Sequence, residues 1–180
     1  MASFLFSFFF WYSHCKLRRM KKVIFSSLFT LFVLLGNAQG IPAITLKDLE
    51  GNSINMSSIA NGQPIIFCFW ATWCAPCKKE LNNYTEYYKE WQEKYGATLY
   101  AITIDDQRSI GRVAPYVSSS GWDYKVISDI NKQFAQAMGV NNVPHTFLVD
   151  GTGKIVWSHN NYADGDEAEL EHQLELITKK

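Results

Sequence analysis

The sequence predicts an α/β fold: a central mixed β-sheet flanked by helices, with an N-terminal β-hairpin extension. Three patterns lead there. Pro64 to Trp70 (PIIFCFW) is continuous and apolar, like a strand covered on both faces. Beyond it, strand-like and helix-like stretches alternate, the order of parallel strands joined by crossover helices. Near the C-terminus, two strand-like stretches are separated by the tight turn Gly151-Thr152-Gly153, so that pair is antiparallel.

Each element has its own signal. IPAITL and SINM flank a turn at Glu50-Gly51-Asn52, giving a short hairpin within residues 41 to 64, and Asn61-Gly62-Gln63-Pro64 is a further turn. After the buried strand, residues 75 to 95 form a long helix ending before Gly96. Leu81, Tyr84, Tyr88, Trp91 and Tyr95 recur at three- and four-residue spacing, which makes one apolar stripe. Ala97 to Ile104 is the next strand. A helix follows from Gln107 to Ser118, then a loop over Ser118 to Gly121. Tyr124 to Ile127 is a short strand, and Asp129 is placed to cap a helix over Ile130 to Met138 that Gly139 ends. Val143-Pro144 precedes a strand from His145 to Asp150. A strand from Lys154 to His159, a polar loop and a helix from Glu167 to Thr178 complete the chain.

Of 180 residues, 47% are hydrophobic and 19% charged, a globular composition of one-domain length. Residues 1 to 38 differ in kind. From Met20, two lysines precede the apolar run Val23 to Leu35 and the small-residue site Gly36-Asn37-Ala38, the order of a secretory signal with cleavage after Ala38. The run is shorter than a membrane span requires. Residues 1 to 19 carry an apolar run ahead of the basic cluster, so Met20 is the expected true start and an uncleaved membrane anchor is the rival reading. Cys15, after the bulky His14, is a poor lipoprotein cysteine. Residues 1 to 38 hold five of the 17 basic residues and none of the 17 acidic ones, so residues 39 to 180 carry a net charge of about −5. That argues against nucleic acid as a partner, because phosphate binding needs a basic face.

Residues 39 to 180 keep three cysteines: Cys68, Cys74 and Cys77. An exported chain with one CxxC and an odd cysteine is not a disulfide-stapled scaffold. Cys74 and Cys77 stand three apart on the first turn of a helix, so their sulfurs can close and reopen a small disulfide. The helix N-terminus presents unpaired N–H groups and partial positive charge, which stabilise a thiolate at Cys74. Pro76 suits that turn because it lacks an N–H that would have no partner there. Cys77 lies deeper and resolves the mixed disulfide. A structural bridge over so small a loop adds little stability. A zinc site needs about four ligands, and no second CxxC or nearby His pair supplies them.

FWATWCAPCKKEL, Val143-Pro144 and the hairpin with Asp150 and Gly153 resemble the thioredoxin superfamily. The N-terminal hairpin and the signal pattern make the chain most similar to exported thiol–disulfide oxidoreductases of the TlpA/ResA type. The match covers residues 41 to 178, within an expected thioredoxin-like domain of residues 39 to 180. By this resemblance Cys74 attacks and Cys77 resolves, the two forming the redox-active disulfide. Pro144 is then a cis-proline facing the pair, Val143 offers its backbone to a substrate segment, and Trp73 flanks the site. The implied partners are exported proteins carrying disulfides and a membrane-bound electron donor. No small-molecule cofactor and no metal is expected.

Two positions depart from the thioredoxin pattern. Thioredoxins carry a buried Asp six residues before the first cysteine, where this chain has Cys68, an apolar filler by its chemistry. Glu80, three residues beyond Cys77, is the candidate to handle the proton in its place, and ResA-type relatives carry a Glu there; the alternative is an ordinary solvated carboxylate. His145 follows Pro144 where relatives often have Thr. It stabilises the Cys74 thiolate if it faces the pair, and not if strand alternation turns it away. His159 and His172 read as surface residues. The expected function is reduction of disulfides in extracytoplasmic, periplasmic proteins, because Ala75-Pro76 lacks the His of strong oxidants. The alternatives are a peroxiredoxin-type thiol peroxidase, which would want a threonine three residues before Cys74 rather than two, and a Sco-like copper chaperone, which would want CxxxC.

Overall fold

The computed structural model describes residues 40 to 179, and the signal or anchor reading of residues 1 to 38 lies outside them. Seven strands form one sheet in the order β2-β1-β5-β4-β3-β6-β7. They are β1 Thr45–Asp48, β2 Ser53–Asn55, β3 Ile65–Trp70, β4 Thr98–Thr103, β5 Lys125–Ser128, β6 His145–Val149 and β7 Ile155–Asn160. β3, β4 and β5 are mutually parallel. β6 runs antiparallel to β3, and β7 to β6, while the hairpin β1–β2 joins the far side antiparallel to β5. The mixed sheet and the hairpin extension expected from the sequence are both present.

β3 lies at the centre, and all six of its residues are buried. Successive side chains leave a strand on opposite faces. Phe67 and Phe69 share one face, where they pack on Phe134 of α3 (Gln133–Ala137), and Phe69 also meets Phe147 of β6. Cys68 leaves on the other face, under α1 (Ala75–Tyr95). α1 is held from outside by α4 (Asp166–Thr178) through Lys94 and Tyr95 on Glu171. Gly96 ends α1 in the left-handed conformation at φ 68°, which glycine adopts without a Cβ clash.

Two helices differ from expectation. The helix expected over Gln107 to Ser118 is a 3₁₀ turn, Ile110–Arg112, leading into α2, Val113–Ser120. Pro115 is the reason: it fits only in a first helical turn, so the α-helix cannot begin much earlier. The helix expected over Ile130 to Met138 is only α3. Asp129 does not cap at Ile130. The chain first turns through Lys132 at φ 56°, and the Asp129 carboxylate then accepts the N–H of Ala135, in the first turn of α3, at 2.8 Å. Among the described residues no helix is long and apolar enough to cross a membrane.

Candidate redox site

The end of β3 delivers the chain to α1 across Ala71, Thr72 and Trp73. This connection is clamped from β4. Asp105 is buried, and its carboxylate accepts the Thr72 N–H at 2.8 Å and the Thr72 and Thr103 hydroxyls at 2.7 Å each. Burial alone would raise the Asp105 pKa; the hydrogen bonds from Thr72 and Thr103 outweigh it and hold the carboxyl below its usual range. Cys74 is thereby fixed as the N-cap of α1.

Cys74 and Cys77 are joined by a disulfide, with Cα atoms 5.4 Å apart. The Cys74 sulfur accepts the Cys77 N–H at 3.3 Å, an interaction that strengthens when the sulfur is a thiolate. Cys74 keeps 5% of its surface and Cys77 none, so an incoming sulfur can meet only the first of them. Trp73 beside them is 60% exposed.

Val143–Pro144 is a cis peptide bond. β6 pairs with β3 so that Phe69 faces His145, which sets Pro144 opposite the end of β3, where the chain leaves for Trp73 and Cys74. Of the six expected site residues, Trp73 lies in the connection after β3, Cys74 caps α1, Cys77 and Glu80 lie on its first two turns, and Val143 and Pro144 lie just before β6.

Glu80 is not a solvated carboxylate. It is fully buried, on the same helical stripe as Cys77, Leu81 and Tyr84. Oε1 accepts the Thr146 hydroxyl at 2.8 Å and the Tyr84 hydroxyl at 3.2 Å, while Oε2 has no partner among the described residues. Burial pushes its pKa up to about 7, against the smaller opposing effect of these two hydrogen bonds. A carboxyl poised near neutral pH is suited to taking and returning a proton.

Thr146 was not a sequence candidate, yet it joins two buried groups. Its Oγ1 lies 2.8 Å from Glu80 Oε1 and 3.5 Å from Cys68 Sγ. One hydroxyl proton serves one acceptor at a time, and the carboxylate is the nearer and stronger. Burial first, then the charge of Glu80, holds the Cys68 thiol far above its usual range, so Cys68 stays a neutral neighbour. The signal that would have found Thr146 is alternation along β6, combined with its pairing to Cys68. Thr146→Val should leave Glu80 with Tyr84 alone, raise the Glu80 pKa further and cost about 1–3 kcal/mol at pH 8. Urea unfolding at pH 5 and pH 8 checks this; equal stability of variant and wild type at pH 8 would remove Thr146 from the network.

The same alternation settles His145. It stacks on Phe147 with ring centroids 4.2 Å apart, on the face away from Thr146 and Glu80. Burial first, and then the neighbouring His159, lower its pKa, which disfavours the charged form. His159, expected at the surface, is half-buried and lies 3.0 Å from Asp166. His172 is exposed.

Residues 38–158 match the AhpC/TSA family. The chain is 31% identical over 137 residues to the thiol–disulfide oxidoreductase ResA of Bacillus thuringiensis (strain Al Hakam), covering 76% of each chain. It is 29% identical over 133 residues to ResA of Bacillus subtilis (strain 168), covering 74% of this chain and 72% of that one. Among solved structures, a thioredoxin-like protein from Porphyromonas gingivalis is 40% identical with a TM-score of 0.69, covering 77% of this chain and 92% of that one. A putative thiol:disulfide interchange protein DsbE from Chlorobium tepidum shares the fold with a TM-score of 0.69 at 23% identity, covering 78% and 96%.

Proposed function

The chain belongs to the AhpC/TSA family and is a thiol–disulfide oxidoreductase with a thioredoxin-like fold, and from that premise we propose that it is an exported reductant of disulfides in other extracytoplasmic proteins. The observation that carries the mechanism is a buried carboxylate, Glu80, one helical turn beyond the sheltered Cys77. In the reduced protein the Cys74 thiolate attacks one sulfur of a substrate disulfide. That bond breaks, a mixed disulfide forms, and the departing substrate sulfur leaves as a thiolate and takes a proton from water. Cys77 then gives its thiol proton to Glu80 and attacks the Cys74 sulfur. The Cys74–Cys77 disulfide forms and the second substrate sulfur leaves. Two electrons have passed to the substrate, and a membrane-bound donor returns them.

Val143 and Pro144, which the β3–β6 pairing sets opposite the end of β3, would border an extended substrate segment, with the exposed Trp73 as its flank. Export is supported by the lysine, apolar and small-residue order of residues 20 to 38. The direction of electron flow is supported by Ala75-Pro76, which places no His between the cysteines. A peroxidase reading would want a free threonine hydroxyl before the attacking cysteine, but Thr72 gives its hydroxyl to Asp105.

Equilibrium titration of the Cys74–Cys77 couple in residues 39 to 180 tests the reading. A reduction potential near about −270 mV or below is expected. A value near about −120 mV would make the protein an oxidant that forms disulfides.

A further inference from the structure

An open cavity of about 260 Å³ has Trp73, the residue that precedes Cys74, in its wall. Its walls come from three loops, each leaving the C-terminal end of one of the parallel strands β3, β4 and β5. Trp73 follows β3; Asp106, Arg108, Ser109 and Arg112 follow β4; Lys132 follows β5. Ligands of open α/β sheets gather at this edge, outside the carboxyl ends of the strands. Trp73 is covalently next to Cys74, so the cavity shares a wall with the residue that precedes the attacking cysteine.

The cavity's chemistry is lopsided. Arg108, Arg112 and Lys132 are all exposed. Arg112 and Lys132 have no acidic partner among the described residues. Asp106 is the wall's one carboxylate, and it is occupied. Its Oδ1 accepts the N–H groups of Arg108 and Ser109 and the Ser109 hydroxyl at 3.0–3.1 Å, and its Oδ2 pairs with Arg108 at 3.4 Å. Asp105 and Asp129 lie beneath the rim, both buried, their oxygens engaged by Thr72, Thr103 and Ala135. They offset the cations at a distance, so the long-range field is weak. At contact, the exposed charges are cationic, on a domain whose net charge is about −5.

We propose that this cavity is a docking groove for an acidic segment of the substrate protein, flanking the disulfide to be reduced. It rests on the oxidoreductase reading and adds a substrate class to it. The segment's carboxylates meet the Arg112 guanidinium and the Lys132 ammonium, while its backbone passes over Trp73. Because the exposed cations act at contact range, the groove selects partners more than it speeds their approach.

Two synthetic peptides test it. They share one intramolecular disulfide and differ only in flanking residues, Glu and Asp in one against Gln and Asn in the other. The wild-type protein should favour the acidic peptide by about five- to tenfold in kcat/KM, the scale of two partly exposed charged contacts. In Arg112→Gln/Lys132→Gln that ratio should fall to near one, while Lys89→Gln, a distant exposed cation on α1, should keep it. A wild-type ratio near one, or a ratio unchanged in the double variant, overturns the groove. If neither disulfide is reduced but both dithiol peptides are oxidised, the direction of electron flow is wrong, and the same ratio is read in the oxidising direction.

Discussion

Replacing Cys74 by serine is expected to lower disulfide reduction more than about a thousandfold, and replacing Cys77 by serine to stop the protein at the mixed disulfide. The two outcomes differ because the two sulfurs have different surroundings. Cys74 caps α1, keeps the pair's only exposed surface, and has its sulfur aimed at the Cys77 N–H. A serine there is not ionised near neutral pH and is a far weaker nucleophile toward sulfur, so the first step does not start. Cys77 is wholly buried and cannot meet an incoming substrate. Its loss leaves attack by Cys74 intact and removes only the second step. Cys77→Ser should therefore accumulate a covalent adduct of protein plus one substrate, visible by mass spectrometry and released by added dithiol. An adduct that forms instead on Cys77 in Cys74→Ser would reverse the roles. Full activity in the double-serine protein would end the redox reading altogether.

Much of this site was legible in the chain because its signals are local. Pro76 and Gly96 bound α1 by their backbone preferences, and the apolar run of β3 fixed where the cysteines emerge. What was not legible depends on pairing between distant strands. Thr146 matters only because the β3–β6 register sets it beside Cys68 and under Glu80. For His145 the sequence leaves both orientations open, and in the fold it stacks on Phe147. Glu80 was an intermediate case. Its three-residue spacing from Cys77 puts it near the same helix face, yet a carboxylate on a helix is so often solvated that the spacing alone does not decide its burial. The misjudged bounds of α2 and α3 have one kind of cause, since Pro115 and Asp129 shift each helix start by satisfying or removing particular N–H groups.

Glu80→Gln should stabilise the protein progressively with pH while slowing its chemistry. The folded carboxyl has a pKa of about 7 against an ordinary value of 4.5, raised chiefly by burial. Between those two pH values the folded state holds a proton that the unfolded state has lost, so stability falls as pH rises. The loss begins near pH 4.5, is complete above about pH 7, and amounts to on the order of 3 kcal/mol. Glutamine does not ionise and escapes it. Its amide brings N–H groups to the place where Oε2 has no partner, a penalty that does not change with pH. The measurement is therefore the difference between unfolding free energies at pH 4 and pH 8, which should be markedly smaller in the variant. Activity should move the opposite way. Without a carboxylate to take its proton, the buried Cys77 thiol ionises reluctantly, and the step that resolves the mixed disulfide should slow by about 10²-fold or more. The wild-type rate should rise through an inflection near pH 7 as Glu80 becomes the base. The variant should lack that inflection and recover only as hydroxide takes over at higher pH. A variant with a wild-type pH–rate profile would place the proton acceptor elsewhere, and an unchanged pH dependence of stability would show that Glu80 ionises in the folded protein as freely as in the unfolded chain.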